Sequence, residues 1–93
     1  MANLPDDDIF VKMASEFIDV ANKYGHEVDQ QLVGAALSHA AARYNAFVVS
    51  TQVEDGDHMK EMRYAVTKHH VDAFQEAFNH HYDDHLKGLA KRA

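Results

Sequence analysis

Residues 57–86 contain neither proline nor glycine, and apolar side chains recur in this stretch every three or four positions. That spacing indicates one face of an α-helix. The apolar stripe consists of Met59, Met62, Val66, Ala73, Phe74, Ala77 and Phe78. At 1.5 Å per residue, a helix over 57–86 is about 45 Å long, whereas a compact chain of 93 residues has a diameter of about 32 Å. The rest of a compact monomer is therefore too short to cover this helix.

Two further helices are predicted, over 6–24 and 29–53. The first begins with three aspartates, whose negative charge suits the positive end of the helix dipole, and it ends before Gly25. Asp29 is a suitable N-cap for the second helix. That helix is apolar on almost all sides, which is typical of a buried helix, and one of its faces carries small residues around Gly34. Asp57 is the predicted N-cap of the third helix, and Gly88 its stop signal.

These patterns predict an all-α fold in one domain over 1–93. The second and third helices form a long antiparallel hairpin, and the shorter N-terminal helix packs against it. Because the long hairpin overhangs the first helix, we expect two copies to cover each other in a homodimeric bundle.

The formal net charge of −6 argues against binding to nucleic acid, which needs a basic face, and against anionic membrane surfaces. The sequence has no cysteine, so neither a disulfide framework nor thiol catalysis is possible. Residues 1–8 lack the basic and apolar regions of a signal peptide, and the apolar runs are too short to span a bilayer. We therefore expect a cytoplasmic protein.

Eight histidines occur in the chain, six of them in or beside the third helix. His81 and His85 are four residues apart, so two imidazoles can reach one ion, and Asp84 is three residues from His81. Two imidazoles and a carboxylate suit Zn²⁺, Ni²⁺ or Fe²⁺. Such a site needs another ligand, from His39 or from a second copy.

The same histidines also suit three alternative roles. They cap the end of the core or line a dimer interface, they bind metal adventitiously, or they respond to pH. Protonation of all eight would change the formal charge from −6 to +2. Arg43 lies on the narrow polar strip of the second helix and is predicted to pair with Glu16, Asp19 or Glu54; the alternative is an anchor for an anionic ligand.

Nothing in the sequence predicts catalysis. There is no glycine-rich phosphate loop, and the serines stand in helices without the context of an activated nucleophile. We expect no catalytic residue and no organic cofactor; Zn²⁺ or Ni²⁺ is the only cofactor that the residues suggest.

The segments Phe17–Asn22 and Ala40–Phe47 resemble those of a family of short proteobacterial proteins catalogued as a domain of unknown function. In that family a first helix ends in an Ala-Asn pair, an Ala-Ala-Arg-aromatic-Asn-Ala-Phe helix follows, and a long amphipathic helix comes last. The resemblance implies a bacterial cytoplasmic protein with an all-α fold. It implies no activity.

Two functions follow as hypotheses. The first is a non-enzymatic interaction or assembly module that forms a homodimer and binds a protein partner still to be identified. The alternative is a protein that binds a metal or a small ligand at the histidine-rich end of the third helix.

Overall fold

The computed structural model describes residues 6–92, and the side chains of residues 7–92. It contains three helices: α1 (Asp6–Gly25), α2 (Gln30–Ser50) and α3 (Gly56–Arg92). Over this part of the chain there is no β-strand, so the predicted all-α class and the three helices are confirmed. The predictions on the side chain of Asp6 and on the first five residues of the N-terminal segment lie outside the described residues.

The chain divides into two compact units, residues 1–48 and 49–93. The first contains α1 and nearly all of α2, and the second contains the connection to α3 and α3 itself. The predicted hairpin of α2 and α3 spans this division. The hairpin and the single-domain assignment stay predictions.

Gly25 is the last residue of α1. It does not adopt the left-handed conformation with which a glycine often ends a helix. No described residue has a positive φ. Instead the backbone continues in right-handed turns, since the amides of Glu27 and Val28 both donate to the carbonyl oxygen of Tyr24, at 2.9 and 3.0 Å. These bonds satisfy a carbonyl group at the helix end that otherwise has no partner.

Aspartates cap the other two helices at their N-termini. Asp29 accepts a hydrogen bond from the amide of Gln31 on its Oδ1, at 3.2 Å, which confirms it as the N-cap of α2. At α3 the predicted N-cap, Asp57, is wrong, because Asp55 occupies that position and accepts from the amide of His58 at 2.9 Å. His58 in turn accepts from the amide of Glu54 on its Nδ1, at 3.1 Å.

This reciprocal arrangement resembles a capping box, with a histidine at the position where glutamate or glutamine usually stands. His58 lies three residues after Asp55, and its side chain accepts a hydrogen bond from the amide of Glu54 in the preceding turn. Asp57 is not followed by such a residue, which explains why Asp55 is the N-cap. Asp57 is then an acidic residue in the first turn of α3, where it suits the helix dipole.

α3 is longer than predicted. It has 37 residues, and therefore a length of about 55 Å. Gly88 lies inside it, so the prediction that Gly88 ends the helix is wrong. A helical glycine costs only about 1 kcal/mol relative to alanine, and Leu89, Lys91 and Arg92 favour continuation. The two cations also lie in the last turn, where the dipole favours positive charge.

The described residues include none that is buried, which corrects the expectation that α2 is a buried centre. Its aromatic residues are prominently exposed, Tyr44 by 65% and Phe47 by 60%. A helix that is apolar on two faces needs a neighbour on each to be buried, and α1 is the only other helix described in its unit. In α2 the residues Val33, Val48 and Val49 are half-buried. None of the described helices combines the length and the apolar character needed to cross a bilayer.

Replacing Asp55 tests the cap of α3. We expect Asp55→Ala to lower the free energy of unfolding by about 1 kcal/mol, because the amide of His58 loses its acceptor. Asp55→Asn removes the same charge but keeps an oxygen, and its effect should be small. Denaturant titration followed by far-UV circular dichroism measures both. A larger loss for Asp57→Ala than for Asp55→Ala would contradict this assignment.

Gly88→Ala should raise helix stability by up to about 1 kcal/mol, because alanine has the higher helix propensity. The added Cβ meets nothing within 4 Å, so no steric cost opposes the gain. Thermal unfolding of the variant and the parent chain is the measurement. An unchanged or lower midpoint would show that α3 is frayed before Gly88 in solution.

Candidate functional site

The histidines of α3 have different local roles. His58 takes part in the N-terminal cap described above. His70 is half-buried, and its Nδ1 lies 2.9 Å from the carbonyl oxygen of Val66, one helical turn earlier. Since a carbonyl oxygen only accepts, this contact assigns the proton to Nδ1 and leaves Nε2 free. Both histidines are thus used by the helix itself.

The histidines of α3 include two adjacent pairs with nearly the same ring geometry. The rings of His69 and His70 have centroids 5.3 Å apart and meet at 87°. The rings of His80 and His81 have centroids 5.1 Å apart and meet at 72°. Both pairs are edge-to-face, an arrangement that aromatic rings favour.

The second pair has a carboxylate within reach, whereas Asp72, the nearest acid after the first pair, is paired with Lys68 at 2.7 Å. Asp84 lies one turn after His80, and its Oδ2 is 3.7 Å from the Nε2 of His80. That separation is too long for a hydrogen bond, and it is an ion pair only when the imidazole is protonated. Each of the three side chains offers one donor atom, and the three atoms lie within 4.8 Å of one another.

The structure therefore brings together two of the three residues that the sequence suggested as metal ligands. His81 and Asp84 belong to the group, and its third member is His80 rather than His85. The four-residue spacing used to pair His81 with His85 also relates His80 to Asp84, and the structure shows the latter pair in proximity. All three members are exposed. We call His80, His81 and Asp84 the α3 triad.

An aromatic ladder lies along the same half of α3. Phe74 and Phe78 stack with centroids 5.8 Å apart, and Phe78 and Tyr82 are separated by the same 5.8 Å. Each ring is one turn from the next, which is the spacing at which helix side chains meet. The three rings are exposed by 53–60%, so a continuous apolar surface faces outward.

A pocket of about 500 Å³ lies in the first unit, where the end of α1 meets the start of α2. Its polar lining consists of Asn22, His26 and Gln30, and its apolar lining includes Val33 and Leu37. It offers hydrogen-bonding groups but no carboxylate or guanidinium. Sequence reasoning missed it, because its shape depends on the angle at which the two helices meet.

Arg43 is exposed. Glu16 and Asp19 were two of its predicted partners, and both lie in the same unit. The ion pairs among the described residues are Lys68 with Asp72 and His80 with Asp84. The predicted pairing of Arg43 with either acid of α1 is therefore wrong in this structure.

These features define a small all-α protein with outward-facing apolar surfaces and one group of potential metal ligands on its described helices. Residues 10–86 match the model of the family described as "Protein of unknown function (DUF3144)". The chain belongs to this family, and the match includes the α3 triad and the aromatic ladder. No curated protein and no solved structure matches it. The predicted resemblance to a family of unknown function is confirmed, and it assigns no activity.

Proposed function

We propose that this protein is a non-enzymatic helical assembly module that associates with a second copy of itself. One observation carries the proposal. The described residues include none that is buried, yet 21 large hydrophobic side chains are exposed. Monomeric soluble proteins rarely expose large contiguous apolar patches, and such patches mark interaction surfaces.

The surface that we assign to self-association is the apolar face of the second half of α3. It consists of the aromatic ladder, Phe74, Phe78 and Tyr82, with Val71, Leu86 and Leu89 beside it, and all six side chains are exposed. Phe74 and Phe78 are already stacked, and the ring of Tyr82 lies tilted against Phe78. Little side-chain entropy is therefore lost when a partner covers them.

Helix lengths favour a second copy over the chain's own helices as the cover of this face. α3 has 37 residues, whereas α1 has 20 and α2 has 21. At 1.5 Å per residue, α3 exceeds either of the others by about 25 Å. The apolar residues of α3 run from Met59 to Leu89, so a shorter helix leaves part of that face open. Another α3 has the required length.

The available area is sufficient for a dimer. Six partly exposed apolar side chains of this size contribute about 100 Å² each when they are covered. The pair of copies then buries about 1,200 Å² of accessible surface, which reaches the lower range of specific interfaces. The apolar sides of α2 extend this interface, and the small-residue face around Gly34 allows close approach of another helix.

The proposal includes the predictions from the sequence on the hairpin, the position of α1, the dimer and the location. α2 and α3 form a long antiparallel hairpin, α1 covers part of it, and two copies complete a bundle in the cytoplasm. The module is non-enzymatic, since its exposed groups offer a binding surface rather than an activated nucleophile. It needs neither nucleic acid nor a membrane, in keeping with its net charge of −6.

Phe78→Glu tests the surface. The variant places a charge in the middle of the aromatic ladder, where association has to desolvate it. We expect the dissociation constant of the homodimer to rise at least tenfold, as measured by sedimentation equilibrium or light scattering across a concentration series. Circular dichroism should show unchanged helicity, because glutamate is a good helix former.

Ala65→Glu is the matched control. It adds the same charge at an exposed position of α3 that is thirteen residues before Phe78 and therefore about 140° away around the helix, so self-association should stay at the parent value. Two results would contradict the proposal. One is a parent chain that stays monomeric at high concentration. The other is a Phe78→Glu variant that associates as strongly as the parent.

A further inference from the structure

We propose that the α3 triad is a binding site for a divalent transition-metal ion of the Zn²⁺ or Ni²⁺ class. This inference goes beyond the proposed self-association and is independent of it, because one chain supplies all three ligands. The argument starts from the grouping of three donor atoms within 4.8 Å of one another.

Helix geometry explains why these three side chains meet. His80 and Asp84 are one turn apart, a spacing that puts the Cβ atoms about 5–6 Å from each other on the helix surface. His81 follows His80 directly, and its ring meets the ring of His80 edge-on. All three side chains are exposed and free to rotate toward a shared point.

The distance between the donor atoms of His80 and Asp84 is close to that of a bound site. Zn²⁺ binds imidazole nitrogen and carboxylate oxygen at about 2.0–2.2 Å, so two ligand atoms in tetrahedral geometry lie about 3.4 Å apart. The Nε2 of His80 and the Oδ2 of Asp84 are 3.7 Å apart. A small side-chain rotation closes the difference. Water or a group from another molecule completes the coordination, as at zinc sites with three protein ligands.

The donor set also selects the class of ion. Imidazole nitrogen suits Zn²⁺, Ni²⁺ and Cu²⁺, whereas Mg²⁺ and Ca²⁺ prefer an all-oxygen shell. Two imidazoles with one carboxylate therefore favour a transition metal. The neighbouring Asp83 adds negative charge without joining the triad.

The other histidine pair of α3 provides a comparison within the same chain. His69 and His70 repeat the edge-to-face pair of His80 and His81, but Ala73 stands where the triad has Asp84. Among the described residues only the triad forms a group that can hold an ion. The carboxylate of Asp84 is thus the feature that distinguishes the two pairs.

Isothermal titration of the untagged full-length chain with ZnCl₂, and separately with NiCl₂, tests the site. We expect one ion per chain, with the same stoichiometry at concentrations where the protein is monomeric and where it is associated. Asp84→Asn should weaken binding at least about tenfold, since even loss of an outer-shell partner has that effect. Asp83→Asn removes the same charge next to the triad and should bind like the parent.

The histidine variants separate the two possible ligand sets. His80→Ala should lose affinity, whereas His69→Ala and His85→Ala should retain it. Loss of binding in His85→Ala with full retention in His80→Ala would overturn the triad in favour of His81, Asp84 and His85. Absence of binding would overturn the site, and equal weakening by Asp83→Asn and Asp84→Asn would show an adventitious ion only.

A gain of binding provides the converse test. Ala73→Asp places a carboxylate one turn after His69. Asp84 has the same position relative to His80. We expect titration of this variant to reveal a second ion per chain. Circular dichroism confirms that helicity is unchanged, so that a loss of structure is not mistaken for a loss of ligands. A stoichiometry that stays at one would contradict the role given to the carboxylate.

Discussion

α3 has 37 residues, almost as many as α1 and α2 together, which have 20 and 21. Its apolar side chains extend nearly from end to end, and removing such surface from water is the main favourable contribution to folding and association. A helix of about 30 Å cannot cover one of about 55 Å. The proposed self-association rests on that mismatch, because neither of the other two helices matches the length of the apolar surface on α3.

The histidines show how one residue type takes different roles on a single helix. His58 accepts a backbone hydrogen bond at the start of α3, and His70 contacts a carbonyl oxygen in the middle. His80 and His81 lie beside a carboxylate near the end. Position relative to caps and acids, rather than the number of histidines, decides which of them are available to an ion.

The aromatic ladder and the α3 triad lie on the same half of α3, but they suit different chemistry. The ladder is apolar and already stacked, so it gains free energy when water is excluded. The triad is exposed, and its donor atoms need an open face to admit an ion and its remaining ligands. His81 lies three residues after Phe78 and so borders the ladder on the helix surface, but no residue belongs to both groups, so each group can be altered without removing the other.

Much of the local structure could be predicted from the sequence. Helical periodicity located all three helices, and Asp29 was identified as a cap because its side chain needs only a backbone amide two residues on. The N-cap of α3 was assigned to Asp57 instead of Asp55. The correct cap includes His58, a histidine at the capping-box position where glutamate usually stands. The end of α3 was misplaced because a glycine inside a helix costs only about 1 kcal/mol relative to alanine, and residues that favour the helix follow Gly88.

What the sequence by itself determined is the all-α class, the three helices, the amphipathic stripe of α3 and a spacing that brings His81 close to Asp84. These follow from the 3.6-residue period, which fixes neighbours along one helix. Only the tertiary structure decided that His80 rather than His85 completes the group, that a pocket forms where α1 meets α2, and that α2 is exposed. The first feature depends on the rotamers of exposed side chains and the other two depend on helix packing, and no local pattern specifies either.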